Sequence, residues 1–258
     1  MHRIGFFVCH GYDALDLAGP LSAFNQVATA AGHTPYDLQV ISRAGGLVIS
    51  NAGLAIETKP LARRTFDTVI FVGGDIEPMQ TSENVAAARK LGNRAERVAS
   101  VCTGAFLLAE TTLLDNRRAT THWRYIAQLQ ARFPCIRVEG DSIYIADGRI
   151  WTSAGIASGI DLALAMIEKD MGAEIARAVS RLLVVAYRRP GGQSQFSAMS
   201  QMEPESDRIR VALNFAREHL AEALPVERLA EAARLSPRQF GRAFRRETGE
   251  TPAKAVER

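Results

Sequence analysis

A cysteine between a predicted strand and a predicted helix has the clearest chemical potential in this chain. Cys102 follows the apolar run 97–101 and precedes Thr103-Gly104-Ala105, so it lies in a tight turn before a helix. Free N–H groups and partial positive charge at a helix N-terminus favour a thiolate and can stabilise an oxyanion. The sequence therefore predicts a functional thiol, and the alternative is a small buried cysteine with a packing role.

Other chain segments could complete a site around Cys102. His122 follows the predicted strand 118–121, where parallel topology can bring its imidazole beside the thiol. Asp16, in the predicted loop after the first strand, is the available carboxylate, while Gly73 and Gly74 follow another strand and could supply backbone donors. If the chain has any catalytic activity, we expect Asp16, Cys102 and His122 to carry it.

These residues need a sheet to position them, and the first 187 residues predict one. Short β-branched runs alternate with helical stretches, which is typical of an α/β fold with a mostly parallel sheet. The predicted strands are 4–8, 36–42, 68–72, 97–101, 118–121, 136–138, 142–146 and 149–152, with a hairpin over 47–56. The predicted helices are 20–31, 83–95, one opened by residues 102–105, 159–171 and 173–187.

The C-terminal part of the chain differs in character. Residues 188–206 are rich in Pro, Gly, Ser and Gln and predict a linker, and residues 207–258 predict an all-helical unit with helices over 207–220, 226–233 and 237–248. Ser236 suits an N-cap and Pro237 the first helical position, and Phe240 and Phe244 form an apolar stripe. The spacing predicts a helix-turn-helix.

The second helix of this pair carries a strong positive charge. Between Pro237 and Arg246 there are four arginines and no acidic residue, although the whole chain has a formal net charge of only +3. Side chains at the front of such a helix suit base edges in a major groove, and the remaining arginines suit phosphate. The predicted DNA-binding residues are Arg238, Gln239, Arg242, Arg245 and Arg246. A solvated charged helix in a small bundle is the alternative.

Residues 207–258 resemble the AraC/XylS-type DNA-binding domain, on the motif LAEAARLSPRQFGRAFRRETGETP. The resemblance implies two helix-turn-helix units joined by a long helix, whereas this chain ends at Arg258, where that helix should begin. We therefore expect a fragment or a natural short form that binds DNA weakly.

Composition excludes several other classes of protein. The chain has 258 residues, 47% hydrophobic and 23% charged, which is too apolar for a disordered chain. No apolar run approaches the roughly 18 residues that span a bilayer, so we expect no membrane insertion. Three cysteines and an N-terminus without signal-peptide features argue against a disulfide scaffold and favour the cytoplasm.

Residues 1–187 resemble the ThiJ/PfpI superfamily, related to class I glutamine amidotransferases. The resemblance rests on the motifs LDLAGP at 15–20, FVGG at 71–74, VCTGA at 101–105, RATTHW at 118–123 and TSAGIASGID at 152–161. It implies a flavodoxin-like three-layer sandwich, with Cys102 as the elbow nucleophile, His122 as its possible partner and Asp16 as the acid of the first loop.

By the same resemblance, Gly73, Gly74 and Thr103 join Asp16, Cys102 and His122 in one ligand pocket. The sequence departs from that superfamily at Cys9-His10, where its members more often have an aromatic residue or proline. We expect Cys135 to be structural, and we expect neither a cofactor nor a metal, because no ligand spacing supports a metal site.

Two functions from different classes follow. The first is an AraC-type transcriptional regulator, which we expect to bind DNA as a homodimer. Its amidase-like domain would sense a small molecule, such as an amine or amino-acid derivative by family analogy. The second is an isonitrile hydratase-like enzyme or cysteine hydrolase acting on a small C–N substrate through Cys102. The regulator is preferred because a hydratase does not need a helix-turn-helix.

Overall fold

A computed structural model describes residues 1–61, 65–187, 192–193, 207–219 and 224–256. By their contacts the residues divide into two compact units, Met1–Arg189 and Pro190–Arg258. Each unit is described by itself below.

The first unit is an α/β sandwich around one eight-stranded sheet. Its strands are β1 (His2–Phe7), β2 (Tyr36–Ser42), β3 (Gly46–Ile49), β4 (Ala55–Pro60), β5 (Thr68–Phe71), β6 (Arg97–Val101), β9 (Tyr144–Asp147) and β10 (Ile150–Ser153). They lie in the order β3-β4-β2-β1-β5-β6-β10-β9, and only the pairs β3–β4 and β9–β10 are antiparallel. A separate two-stranded sheet pairs β7 (Arg118–Ala119) with β8 (Arg137–Val138). This mostly parallel sheet confirms the predicted fold class.

Helices cover both faces of the sheet. They are α1 (Ala14–Ala31), α2 (Ile76–Met79), α3 (Ser82–Arg94), α4 (Gly104–Glu110), α5 (Ile126–Arg132), α6 (Ser158–Met171) and α7 (Ala173–Leu182). One buried cluster joins β1, β5 and β6 side chains such as Phe6 and Val101 to α1, α6 and α7. The other joins Phe7 and Phe71 to side chains of α3 and α4. Both faces are buried, as expected for parallel strands with helical connections.

Two predicted elements differ from the observed ones in ways that move site residues. The helix α1 begins at Ala14 and not near Pro20, because the Asp13 side chain accepts the N–H groups of Leu15 and Asp16 and caps the helix six residues earlier. Asp16 therefore lies in the first helical turn and not in a loop.

The predicted strand 118–121 is also shorter than expected. Only Arg118–Ala119 is a strand, and it pairs with β8 outside the main sheet. The predicted helix 173–187 ends at Leu182, and Val184 just beyond it has a left-handed backbone (φ 57°) that no helix continues. The predicted hairpin over 47–56 is confirmed as β3 and β4.

The second unit is all-helical in the residues described. It contains α8 (Asp207–Glu218), α9 (Val226–Ala232), α10 (Pro237–Thr248) and α11 (Pro252–Val256). Its buried cluster is small: Phe240 and Phe244 of α10 pack with Ile209 and Leu213 of α8 and Leu229 of α9. The predicted linker 188–206 lies outside the described residues, apart from 192 and 193.

Candidate functional site

The carboxyl ends of four parallel strands meet at one edge of the sheet, and Cys102 lies there. Its backbone is left-handed (φ 56°), a conformation that costs a non-glycine residue about 1 kcal/mol or more. The strained turn is held by two hydrogen bonds. The Cys102 N–H donates to the Ser153 carbonyl (3.0 Å), and the Thr121 hydroxyl donates to the Cys102 carbonyl (2.8 Å). Such an elbow fixes where the thiol points.

Glycines let two other loops approach the elbow. A Cβ on Gly155 would lie 2.1 Å from the Cys102 Cβ and 2.7 Å from its Sγ, and the φ of Gly155 is +87°. A Cβ on Gly73 would lie 2.8 Å from the Cys102 Cβ and 2.6 Å from Oδ2 of Asp16. Only glycine fits at these two positions, so the loops after β5 and β10 enclose the thiol and the carboxyl group together.

Asp16 is a buried carboxyl group with an incomplete set of partners. Its Oδ1 accepts the N–H of Ile156, whereas its buried Oδ2 has no regular hydrogen bond to any residue that the structure describes. Burial, together with the charge of Asp13, raises the pKa of Asp16 from 3.8 to about 7. The carboxyl group is therefore partly protonated at neutral pH.

The Cys102 thiol is neutral at physiological pH. Burial is the largest cause that raises its pKa above the ordinary 9.0, and the carboxylate of Asp16 adds to it. The Thr103 N–H at the start of α4 lowers the pKa, but by less. The expected activation by the helix N-terminus is thus outweighed by burial beside an acidic group.

Thr103 fastens the loop after β5 to the elbow. Its hydroxyl accepts the Gly74 N–H (2.7 Å) and donates to the Gly74 carbonyl (2.7 Å). Thr103 and Gly74 therefore lie together at the elbow, as expected. The Gly74 N–H is already bonded, however, so it is not the open oxyanion donor that the sequence suggested.

His122 has a different environment from the one expected. Its Nδ1 accepts the Arg124 N–H (3.3 Å), and its ring lies 5.4 Å from that of Trp123. Burial and then the charge of Arg124 lower its pKa. Among the described residues, Thr121, the neighbour of His122 in the chain, bonds the Cys102 carbonyl, and the Asp16 carboxyl group lies close enough to the Cys102 thiol to shift its pKa.

The other two cysteines lie in contrasting environments. Cys9 is buried, which raises the pKa of its thiol to about 12, and Cys135 is exposed. Within the described ranges, no three His, Cys, Asp or Glu side chains come close enough to hold a metal ion.

The helix α10 is capped at both ends as its sequence requires. The Ser236 hydroxyl accepts the Gln239 N–H, Pro237 occupies the first turn, and Gly249 ends the helix with φ +77°. Phe240 and Phe244 are buried, with their ring centroids 5.4 Å apart. Each end of the helix is thus defined, which holds its exposed face in one orientation.

The exposed face of α10 is cationic, but its predicted DNA contacts are not equivalent. Arg238, Arg242 and Arg245 are exposed and form no ion pair within the described part of the chain. Oε1 of Gln239 instead accepts the Ser236 N–H (3.2 Å) and hydroxyl (2.8 Å), completing a capping box. Arg246 is paired with Glu247 (3.1 Å).

Both units match known families. Residues 2–169, including the elbow and both loops that enclose it, match the DJ-1/PfpI family. The chain belongs to the DJ-1/PfpI family. Residues 217–255 match the AraC family of bacterial regulatory helix-turn-helix proteins, so a DJ-1/PfpI domain is joined here to an AraC-type DNA-binding segment.

Several curated relatives are HTH-type transcriptional regulators. The chain is 28% identical to the HTH-type transcriptional regulator GlxA of Rhizobium meliloti, over 96% of this chain and 78% of GlxA. It is 31% identical to the HTH-type transcriptional regulator CdhR of Pseudomonas aeruginosa, over 84% of this chain and 66% of CdhR. An isonitrile hydratase of Pseudomonas putida is 30% identical over 73% of this chain and 80% of that enzyme.

A solved structure shows the same fold. An AraC family transcriptional regulator from Pseudomonas putida superimposes with a TM-score of 0.65 at 16% identity, covering 71% of this chain and all of that chain. No helix in the described part of the chain is long and apolar enough to cross a membrane.

Sequence reasoning missed two residues of the DJ-1/PfpI domain that shape the elbow. Gly155 contacts Cys102 directly, and Thr121 holds its carbonyl. Gly155 could have been found as a glycine just after a strand parallel to β6, because such strands end at the same edge of the sheet. Nothing in the sequence distinguishes Thr121 from Thr120.

Proposed function

We propose that this chain is a transcriptional regulator whose DJ-1/PfpI domain binds a small-molecule effector beside Cys102 and whose AraC-type segment binds DNA through α10. The observation that carries the proposal is the joining of two matched domains in one chain, one with a buried carboxyl group beside the elbow cysteine and the other with a capped cationic helix. A DNA-binding regulator acts in the cytoplasm of a bacterial cell.

The charge of α10 supports DNA binding. Arg238, Arg242 and Arg245 lie on one exposed side of a helix whose opposite side is fixed by two buried phenylalanines. Guanidinium groups without protein partners are available for guanine edges and phosphates. Gln239 and Arg246 contribute less in this proposal, because the first completes the N-terminal cap and the second is paired.

The elbow supports effector binding more than nucleophilic catalysis. A neutral thiol is a poor nucleophile, and the Gly74 N–H is already bonded to Thr103. The buried Oδ2 of Asp16 is an acceptor, or a donor when protonated, to which an effector can bond. The proposed effector site comprises Asp16, Gly73, Gly74, Cys102 and Thr103, with His122 outside the Cys102 hydrogen bonds.

DNA binding is tested with duplexes selected from a random library by the full chain. Replacing Arg238 and Arg242 with alanine should weaken binding at least about 100-fold and lower the salt dependence of log Kd by about 2. Replacing exposed Arg43 and Lys90 of the DJ-1/PfpI domain removes the same charge and should change Kd less than about 3-fold. An equal loss of affinity for the selected duplexes in both double variants would refute DNA binding by α10.

Effector binding is tested by thermal unfolding of the full chain with a panel of small amines and amino-acid derivatives. An effector should raise the midpoint, and the increase should disappear in the Asp16→Ala variant. The same compound must change the Kd of the protein for DNA. By linkage, DNA must then change the affinity of the protein for the compound by the same factor. A compound that raises the thermal midpoint of the parent and of the Asp16→Ala variant equally would contradict the proposed site.

The proposed regulator is a homodimer, because paired readers match paired half-sites in DNA. Sedimentation of the full chain with and without a selected duplex checks this. A 1:1 complex on a duplex that contains two half-sites would contradict the dimer.

Isonitrile hydration is a second candidate, favoured by the close coupling of Asp16 and Cys102 and by the similarity to an isonitrile hydratase. Hydration of an alkyl isonitrile adds water and yields the N-substituted formamide. Turnover by the parent that is lost in Cys102→Ser would establish the enzyme. We expect the parent and this variant to show the same background rate.

A further inference from the structure

A glycine inside the DNA-facing helix has no conformational reason to be there. Gly241 is the fifth residue of α10. It is not among the residues with positive φ, so L-amino acids other than proline fit its backbone. A helix interior with glycine is less stable than one with alanine by about 1 kcal/mol. The conformation of α10 therefore disfavours glycine at this position.

Packing gives no reason for this glycine either. Apart from its own helix backbone and chain neighbours, a Cβ on Gly241 would meet no atom within 4 Å among the residues that the structure describes. This contrasts with Gly104, where a Cβ would lie 2.3 Å from the Phe71 carbonyl oxygen. In the described part of the helical unit, no atom would clash with a side chain at position 241.

The surroundings of Gly241 are cationic. Arg238 is three residues before it and Arg245 four residues after it, the spacings that place side chains next to each other on one side of a helix. Arg242 is adjacent in the chain and exposed. The missing side chain at Gly241 therefore leaves a notch on the surface of α10. Helix backbone forms the base of this notch, and Arg238, Arg242 and Arg245 surround it.

We propose that this notch receives the C5-methyl group of a thymine in the major groove. The inference rests on the proposed DNA-binding function. Side chains set how closely a helix approaches base edges, and glycine permits the closest approach. The thymine methyl is the apolar group that the major groove presents, while the flanking arginines suit guanine. Gly241 is thus a specificity-determining position, and its thymine lies next to guanine contacts.

The first test compares Gly241→Ala and Gly241→Leu with the parent in the full chain. Hydrogen exchange should show that alanine protects the α10 amides more strongly, since it stabilises the helix. The same variant should bind the selected duplex at least about 5-fold more weakly, and leucine should bind it more weakly still. A purely structural role would move stability and affinity in the same direction.

The second test replaces each thymine of the selected duplex, one at a time, with uracil, which lacks the methyl group. At one position the parent should lose about 4-fold in affinity, and Gly241→Ala should lose less than about 2-fold there. An unrelated duplex serves as the control, and all three proteins should bind it alike.

Equal affinity of Gly241→Ala and the parent for the selected duplex would overturn the inference. So would equal uracil effects in both proteins. If the parent selected no duplex at all, the proposed DNA-binding function would be wrong, and the proposed role of Gly241 would fail with it. The two failures are therefore distinguishable.

Discussion

At the residue scale, Cys102 and Asp16 share one buried space in which two negative charges are unfavourable. Burial raises the pKa of both groups, and the Asp16 carboxylate raises the pKa of Cys102 further, whereas hydrogen bonding by the neutral thiol lowers the pKa of Asp16. The proton held between them keeps the thiol neutral, so the pair presents hydrogen-bonding groups to a ligand and not a ready nucleophile. This favours sensing over turnover as the use of the elbow.

The reactivity of Cys102 follows from its raised pKa. In a Cys135→Ser background, which removes the exposed thiol, iodoacetamide should label Cys102 at pH 7 at least about 100-fold more slowly than free cysteine. The rate should still be rising at pH 10, and peptide mass mapping separates Cys102 from Cys9. A rate that levels off below pH 8 would show an activated thiolate.

Asp16 gives a pH dependence of stability with a defined sign. Its folded pKa of about 7 lies above the ordinary 3.8, so the folded chain holds the proton more tightly than the unfolded chain. Its contribution to stability is therefore complete below about pH 4 and is lost as the pH rises towards 7.

The Asp16→Asn variant should remove this dependence. The free energy of unfolding of the parent, relative to the variant, should fall by on the order of 4 kcal/mol between pH 4 and pH 8. Chemical denaturation of both proteins at several pH values measures the difference. A constant difference across that range would mean that Asp16 is ionised at all of them.

At the element scale, parallel strand ends explain what the sequence could predict. Apolar β-branched runs predict the core strands, and because the carboxyl ends of parallel strands share one edge, the sequence predicts Asp16, Gly73 and Cys102 in one region. The structure places these three residues next to each other. His122 follows β7, which pairs with β8 outside the main sheet, and short strands with few residues give no signal of which sheet they join.

The start of α1 shows a second limit. The predicted helix 20–31 begins at Pro20, a residue that suits a first turn, yet the cap formed by Asp13 begins the helix at Ala14 and includes Pro20 within it. A capping aspartate and a first-turn proline are both valid signals, and only the tertiary structure decides between them. In α10 the two signals agree at Ser236-Pro237, and its predicted bounds 237–248 match the structure.

The turn between α9 and α10 contains a strained residue. Arg234 is exposed and has φ 52°, where a non-glycine residue is unfavourable. Replacing Arg234 with glycine should stabilise the reader helices by about 1 kcal/mol, measured by hydrogen exchange of the α10 amides. Arg238→Gly, at a helical position, is the matched control and should destabilise them by a similar amount. If Arg234→Gly destabilised the helices as Arg238→Gly does, the backbone of Arg234 would not be strained.

At the scale of the whole molecule, chemistry is concentrated in two places. The formal net charge of the chain is only +3, yet α10 carries three unpaired arginines. The positive potential around this helix attracts a polyanion. Among the residues that the structure describes, the groups that contact the elbow lie between Asp13 and Ile156. The proposed effector site and the DNA-binding helix are thus built from separate stretches of sequence.

A cut at the proposed domain boundary tests this separation. We propose that residues 1–187 form the sensor domain, because both buried clusters on its sheet are built from residues no later than Tyr187. A chain ending at Tyr187 should fold, protect Cys102 from iodoacetamide as the full chain does, and lose measurable affinity for the selected duplex. The thermal midpoint of the domain should change by less than about 3 °C.

A second cut gives the contrast that makes this result informative. A chain ending at Met171 lacks α7 and with it Ala176 and Val179, which are fully buried against α1 and α6. Losing that cover exposes the apolar sides of α1 and α6, so this shorter chain should aggregate or label rapidly at Cys102. If the chain ending at Tyr187 labels as rapidly as the one ending at Met171, then the elbow depends on residues beyond 187 and the proposed boundary is wrong.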